Sequence, residues 1–127
     1  MVKTRIAVFV SGGGTNLQAL LDAQKAGVLK SGEIVLVISS AADAYALVRA
    51  EKAGVDAYAV RRKAYASQHD FEMKIGEYLE QYGIDMIILA GYLNILSAEF
   101  TSKWPKRIIN IHPALIPSFC EIGRAHV

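Results

Sequence analysis

The sequence predicts an α/β fold, an open and mainly parallel doubly wound sheet, on three observations. First, short apolar runs rich in valine and isoleucine recur without alternating polar residues, which is typical of strands buried on both faces. These runs are Ile6–Val10, Ile34–Ile38, Ala57–Val60, Met86–Ala90 and Ile108–Ile111. Second, helical patterns with start and stop signals separate the runs. Third, strands and helices alternate along the whole chain with no linker, which favours crossover connections within one domain.

The helices between these strands are predicted from their caps. The expected N-caps and closing left-handed glycines are, in chain order, Thr15 or Asn16 with Gly27, Asp43 with Gly54, and Ser67 with Gly83. A fourth helix is expected over Ser97–Trp104, where Pro105 helps to end it.

Composition and charge limit the possible partners. The chain has 127 residues, and 14 basic against 12 acidic side chains give a net charge of +2. With 53% hydrophobic residues it is a packed globular chain rather than a disordered tail or a polybasic nucleic-acid arm. The lone Cys120 excludes an intrachain disulfide and favours a reducing cytoplasm. No apolar run approaches the length of a membrane span or of a signal-peptide core, so we expect no membrane attachment.

A glycine-rich loop links the first strand to the first helix. It reads Ser11-Gly12-Gly13-Gly14-Thr15-Asn16-Leu17. Consecutive glycines let a bound group approach the backbone closely, and a helix N-terminus offers free amide donors, so the loop suits a phosphate. A tight turn that needs glycine only for its torsion angles is the alternative. Leu17 replaces the third glycine of a dinucleotide fingerprint and no Walker lysine is present, which favours a ligand smaller than a dinucleotide.

The fifth predicted strand carries a candidate catalytic pair, Asn110 and His112. Residues two apart in a strand point to the same side, and ligands of open α/β sheets gather at the carboxyl ends of the strands. The amide can hydrogen-bond a developing oxyanion, and the histidine can move a proton near neutral pH. Alternatively, His112 is a strand-end histidine bonded to a backbone carbonyl and Asn110 is a turn residue.

Two other features are open to more than one interpretation. Arg61-Arg62-Lys63, after the third predicted strand, is either a solvated basic loop or a site for an acidic ligand. His69 lies near a helix start and is expected to be solvated.

Three motifs in this order resemble the phosphoribosylglycinamide formyltransferase family of purine biosynthesis. They span residues 11–18, 89–97 (Leu-Ala-Gly-Tyr-Leu-Asn-Ile-Leu-Ser) and 110–117 (Asn-Ile-His-Pro-Ala-Leu-Ile-Pro). The resemblance implies a Rossmann-like sheet of the formyltransferase type. It also implies transfer of a formyl group from 10-formyltetrahydrofolate to the amine of glycinamide ribonucleotide, without a metal.

The resemblance also assigns site residues. The substrate-phosphate loop is matched by Gly13, Gly14, Thr15 and Asn16, and the folate-contacting segment by Leu93, Asn94, Ile95 and Leu96. Asn110 would bind the formyl oxygen, next to the folate, and His112 would transfer protons. Gln68 stands where family members often have an arginine that contacts the folate, and Arg61 or Arg62 is the candidate replacement.

The resemblance further predicts that the C-terminal part of the domain is missing. The family uses a catalytic aspartate well after the Asn-Ile-His-Pro motif, and the chain ends before it. We therefore expect residues 1–120 to be the N-terminal part of a formyltransferase domain with little activity alone. Residues 121–127 depart from the family and equal the translation of GAG ATC GGA AGA GCA CAC GTC, which contains the start of a sequencing-library adapter. A non-native tail is expected, and a natural lineage-specific end is the alternative.

Two other functions remain open at this stage. One is another folate-dependent formyltransferase or a formyltetrahydrofolate hydrolase, although the glycine loop at the start of the chain favours the ribonucleotide enzyme. The other is a non-catalytic module that binds a nucleotide phosphate.

Overall fold

The fold is an open, entirely parallel five-stranded sheet with helices on both faces, as seen in a computed structural model that describes residues 3–27 and 31–111. The strands are β1 (Thr4–Val10), β2 (Gly32–Ser39), β3 (Asp56–Ala59), β4 (Met86–Ala90) and β5 (Ile108–Ile111). The α-helices are α1 (Thr15–Lys25), α2 (Tyr45–Lys52), α3 (Gln68–Gln81) and α4 (Ala98–Thr101), and a 3₁₀ turn covers Arg62–Ala64. The predicted α/β fold class is confirmed.

The order of the strands creates a switch point beside β1. The sheet runs β3-β2-β1-β4-β5, so the chain moves outward from β1 through β2 to β3 and then returns to the other side of β1. All neighbouring strands pair in parallel, with Val10 opposite Ser39 on one side and Ala90 on the other. The carboxyl ends of all the strands therefore lie along one edge, which is where open α/β sheets bind ligands.

Alternate residues of β1 divide the core into two layers. Ile6, Val8 and Val10 face the layer formed with α1 and α2, whereas Ala7 and Phe9 face the layer formed with α3 and α4. Residues 6–10 of β1 are all buried, which explains why their sequence shows no polar alternation.

The predicted helix ends are partly confirmed. Gly27, Gly54 and Gly83 all have positive φ angles, and the Ser67 side chain accepts a hydrogen bond from the Asp70 amide at 3.1 Å. The prediction for α4 was too long, because α4 ends at Thr101 and not at Trp104. Beyond Thr101 the hydrogen bonds span three residues instead of four, since the amide of Trp104 donates to the carbonyl of Thr101.

The N-caps of the first two helices were predicted wrongly. The cap of α1 is Gly14, with φ 82°, and Thr15 and Asn16 are already helical. The cap of α2 is Ala44 rather than Asp43, and neither helix has a side-chain cap. In α1 the cap position is held by a glycine, which has no side chain that could bond the first amides of the helix. β3 also begins and ends one residue earlier than predicted.

Some predictions fall on residues outside the described part of the chain. His112, Cys120 and residues 121–127 belong to this group, so the histidine's role and the domain boundary at residue 120 remain predictions. Within residues 3–27 and 31–111, no helix is long and apolar enough to cross a membrane.

Position 14 requires a glycine for two reasons, the backbone angle there and the close contact with Ala46. Its φ of +82° lies in the left-handed region, and a Cβ placed on it would come 2.7 Å from Cβ and 2.9 Å from Cα of Ala46. The second contact is to backbone, so it cannot be relieved by a side-chain rotation. The close approach of the glycine loop to α2 therefore depends on the absence of a side chain at this position.

Replacing Gly14 should accordingly destabilise the fold. For Gly14→Ala we expect a loss of about 2–5 kcal/mol in the free energy of unfolding, the sum of a left-handed backbone penalty of about 1–2 kcal/mol and a steric penalty of about 1–3 kcal/mol. Urea denaturation measures this loss. Gly12→Ala is the matched control, since a Cβ there meets nothing within 4 Å. Equal stability of the two variants would contradict this interpretation of the loop.

Candidate functional site

The candidate site lies at the carboxyl edge of the sheet, on both sides of the switch point. The glycine loop follows β1, and residues 91–97 follow β4. Ser11 joins them, because its Oγ accepts a hydrogen bond from the backbone amide of Leu93 at 2.7 Å. Ser40, after β2, also donates to Ser11 Oγ at 2.7 Å. One hydroxyl thus holds together the ends of three adjacent strands.

The glycine loop presents an uncapped helix N-terminus. The first bond of α1 runs from the amide of Gln18 to the carbonyl of Gly14 at 2.8 Å, so the amides before Gln18 have no partner within the helix. Arg49 fixes the loop from α2, where its Nε donates to the carbonyl of Gly13 at 2.7 Å. These features match the predicted phosphate site, since free amides at a helix N-terminus attract anions.

The two polar side chains predicted in this loop differ in exposure. Thr15 is exposed, whereas Asn16 is only 7% exposed and lies on the first turn of α1. Asn16 is therefore a polar side chain that is largely buried at the base of the loop.

The segment Leu93–Leu96 combines a tethered backbone with exposed apolar side chains. Leu93 is 83% exposed and Ile95 is 81% exposed. The Leu93 amide is bonded to Ser11, and the Ile95 carbonyl accepts a hydrogen bond from Gln68 Nε2 at 2.8 Å. Large apolar side chains held at a surface in this way mark a binding surface for an apolar ligand or partner.

Buried polar atoms flank the same segment. Tyr92 Oη and Asn94 Nδ2 are buried and lack a hydrogen-bond partner among the described residues. Burial raises the pKa of the Tyr92 hydroxyl to about 12, so the group stays protonated at neutral pH. Unpaired buried donors are uncommon in native structures, and here they lie beside the exposed Leu93 and Ile95.

Gln68 and Glu72 support this segment from the first turns of α3. Gln68 Nε2 donates to the carbonyl of Ile95 at 2.8 Å and to Glu72 Oε2 at 2.7 Å, and Gln68 Oε1 accepts from Arg62 Nε at 3.0 Å. Glu72 accepts two further bonds of 2.6 Å each, from the amide and the hydroxyl of Ser97. A chain of hydrogen bonds therefore runs from Arg62 through Gln68 and Glu72 to the start of α4.

Glu72 is an unusually buried carboxylate for a surface helix, with 7% exposure. Burial by itself would raise the pKa of Glu72, but hydrogen bonds from Ser97 and Gln68 outweigh it and hold this pKa below its usual value of 4.5. The carboxylate is therefore ionised at neutral pH. Glu72 is not among the site residues expected from the sequence. Its four-residue spacing from Gln68 is the signal that could have identified it.

The candidate catalytic pair is only partly described. Asn110 lies in β5 opposite Leu89 of β4, and it is exposed at the carboxyl edge. His112 follows outside the described residues.

His69 is exposed as predicted, with Nδ1 3.7 Å from a carboxylate oxygen of Glu99. Searched over residues 3–27 and 31–111, the chain has no group of three or more histidine, cysteine, aspartate or glutamate side chains placed to hold a metal ion.

Removing the charge of Glu72 should destabilise the protein, because this carboxylate accepts hydrogen bonds from Ser97 and Gln68. For Glu72→Gln we expect a loss of about 2–4 kcal/mol, because bonds to a charged acceptor contribute about 1.5–3 kcal/mol each and an amide NH₂ would oppose one of the donors. Urea denaturation measures this loss at pH 7.

The pH dependence of stability tests the same group independently. The folded-state pKa is depressed, so the stabilisation by Glu72 is fully present above the unfolded pKa near 4.5 and disappears as pH falls through the folded value. The wild-type advantage over Glu72→Gln should therefore shrink below about pH 4.5. Glu80→Gln, an exposed change on the same helix, should match the wild type throughout. A difference independent of pH would show that the charge is not responsible.

Comparisons with known proteins agree with this geometry. The formyl transferase family matches residues 4–127. Phosphoribosylglycinamide formyltransferase of Haemophilus influenzae is 43% identical over 119 residues, which are 94% of this chain and 56% of that protein. The trifunctional purine biosynthetic protein adenosine-3 of Gallus gallus is 42% identical over 117 residues, which are 92% of this chain and 12% of that protein.

A solved structure shows the same fold. Phosphoribosylglycinamide formyltransferase from Brucella melitensis superposes with a TM-score of 0.83 at 41% identity, covering 92% of this chain and 60% of that one. The chain thus spans little more than half the length of these bacterial relatives. On fold, identity and the extent of the family match, the chain belongs to the formyl transferase family.

Proposed function

We propose that the protein transfers a formyl group from 10-formyltetrahydrofolate to the primary amine of glycinamide ribonucleotide, a step of purine biosynthesis. The observation that carries the proposal is the 2.7 Å bond between Ser11 and Leu93, which places a phosphate-type loop directly beside a tethered apolar segment. A reaction between two bound substrates needs two such subsites side by side. The names of the relatives, phosphoribosylglycinamide formyltransferase among them, support this choice over a hydrolase.

The glycine loop is the proposed site for the ribonucleotide phosphate. Gly13, Gly14, Thr15 and Asn16 form the loop and the first turn of α1. The backbone amides there have no partner within the helix, and the positive end of the helix dipole favours a dianion. Thr15 and Asn16 both carry side-chain donors on this turn, the exposed hydroxyl of Thr15 and the largely buried amide of Asn16.

The segment after β4 is the proposed site for the folate. The exposed side chains of Leu93 and Ile95 supply apolar surface, and Asn94 and Leu96 complete the segment. Gln68 acts here as a support of the segment through its bond to the carbonyl of Ile95. An arginine in its place would carry charge, whereas in this chain the neighbouring guanidinium is that of Arg62.

The proposed chemistry is attack of the ribonucleotide amine on the formyl carbon. A nitrogen–carbon bond forms, the carbonyl oxygen becomes an oxyanion, and collapse breaks the bond between the formyl carbon and N10 of the folate. Asn110 is the proposed donor to the oxyanion, and His112 the group that takes the amine proton and returns it to N10. An amine is already a nucleophile, so the step requires no metal.

The protein is proposed to act in the cytoplasm, without a nucleic-acid or membrane partner. We assign the protein to the cytoplasm, because Cys120, the lone cysteine, gives no disulfide and suits a reducing environment. The near-neutral charge of +2 gives no basis for a nucleic-acid partner, and neither substrate requires a membrane.

The role of His112 provides the test of this function. In a full-length protein that carries this chain, we expect His112→Ala to lower kcat by about 10²–10⁴-fold, the usual contribution of a positioned proton-transfer group. The KM values for both substrates should change little. Formylation of glycinamide ribonucleotide, followed with purified protein, measures both constants.

The control for this test is His69→Ala. His69 is exposed at the start of α3 and is not one of the residues assigned to either substrate, so its replacement should leave the rate nearly unchanged. Binding of the ribonucleotide without any formyl transfer by the unaltered protein would favour the non-catalytic phosphate-binding module. Release of formate without transfer would favour the hydrolase.

A further inference from the structure

Two carbonyls of the glycine loop are bound from α2. The backbone amide of Ala46 donates to the carbonyl of Gly12 at 3.3 Å, and Arg49 Nε donates to the carbonyl of Gly13 at 2.7 Å. Both donors lie in the first two turns of the helix. Two consecutive carbonyls of the loop are therefore turned toward α2.

These two bonds also determine where the loop amides point. No peptide bond in the described part of the chain is cis, and the N–H of a planar trans peptide points away from its C=O. The carbonyl of Gly12 shares a peptide with the amide of Gly13, and the carbonyl of Gly13 shares one with the amide of Gly14. Both amides therefore point away from α2, and an anion bound at the start of α1 would meet them as donors.

The Arg49 side chain is fixed by further contacts. One terminal nitrogen donates to Gln18 Oε1 at 3.1 Å, and the guanidinium carbon lies 5.0 Å from the centroid of the Tyr45 ring. The stem passes close to Gly14, since a Cβ placed there would lie 3.3 Å from Arg49 Cδ. A cation that is fixed before a ligand arrives loses less conformational entropy on binding.

The acceptors of Arg49 do not neutralise its charge. The Gly13 carbonyl and the Gln18 side-chain oxygen are neutral, and neither of the two ion pairs found within residues 3–27 and 31–111 involves Arg49. A cation that donates to a carbonyl polarises the peptide, which makes the N–H of that peptide a stronger donor. The peptide between Gly13 and Gly14 thus has a positive charge on its carbonyl side and a strengthened amide on the other.

We propose that Arg49 is a positioning residue for the ribonucleotide phosphate, an inference that rests on the proposed function. It acts through the peptide between Gly13 and Gly14, whose amide it aims at the phosphate and strengthens as a donor. It also places a fixed positive charge behind the loop, which attracts a dianion. Its contribution is to the binding of the ribonucleotide and not to the folate or to the chemical step.

The variant Arg49→Met tests this role in the full-length protein. Methionine keeps a long side chain beside Gly14 but removes the charge and both side-chain hydrogen bonds. The Kd of glycinamide ribonucleotide, measured by isothermal titration calorimetry, should rise about tenfold, as the loss of a charge-assisted hydrogen bond would give. The KM for the ribonucleotide should rise with it, whereas kcat and the Kd of 5-formyltetrahydrofolate should stay nearly the same.

Two further variants separate this role from a general effect on the fold. Arg49→Lys keeps the charge and a donor, so it should recover most of the affinity for the ribonucleotide. Arg107→Met is the matched control, because it removes an exposed guanidinium that lies 5.4 Å from the centroid of the Trp104 ring. It should leave the Kd of the ribonucleotide unchanged.

The outcomes distinguish the role of Arg49 from the proposed function. An unchanged Kd of the ribonucleotide in Arg49→Met would overturn the role of Arg49 alone. Equal losses of affinity for the ribonucleotide and for 5-formyltetrahydrofolate would also overturn it, since they would indicate a general disturbance of the edge. No binding of the ribonucleotide by the unaltered protein would overturn the proposed function and the role of Arg49 with it.

Discussion

The parallel pairing of β1 with β2 on one side and with β4 on the other is the constraint on which the site depends. This pairing brings the ends of strands that are far apart in sequence to one edge, so Ser11 can bond the amide of Leu93 across 82 positions of the chain. The reversal of strand order at β1 leaves room between the two loops. The proposed reaction needs both the N-terminus of α1 and the exposed apolar segment Leu93–Leu96. The distance between these two parts follows from the spacing of the neighbouring strands β1 and β4.

A buried charge stabilises the more irregular half of this edge. Residues 91–97 are loop and expose large apolar side chains, an arrangement that costs free energy in water. Glu72 offsets this cost locally with three short hydrogen bonds, two of them from Ser97. A carboxylate that is nearly buried is tolerated only with such compensation. The segment is therefore held by α3 before any ligand is present, and preorganisation of this kind is what binding and catalysis require.

The fold was largely predictable because its signals are local and repeated. Buried parallel strands give continuous apolar runs, and glycine after a helix gives a left-handed turn, as at Gly27, Gly54 and Gly83. Single motifs in the sequence are enough to name the glycine loop and Asn110 as candidates, and the structure places both at the carboxyl edge of the sheet. The spacing of Glu72 from Gln68 indicates only a pair on one helix face, and the role of Glu72 depends on its tertiary hydrogen bonds with Ser97. The same holds for Gly14, whose contact with Ala46 is tertiary.

The measurement that tests the two-subsite edge most directly is amide chemical-shift mapping by NMR in the full-length protein. Glycinamide ribonucleotide added alone should shift the amides of Gly13, Gly14, Thr15 and Asn16, because the phosphate binds those donors. A non-reactive formyl folate added alone should shift residues 93–96 instead, and the two sets should meet at Ser11 and Leu93. Overlapping shifts for both ligands at the glycine loop, or shifts of either ligand at the opposite edge of the sheet, would contradict the proposed arrangement.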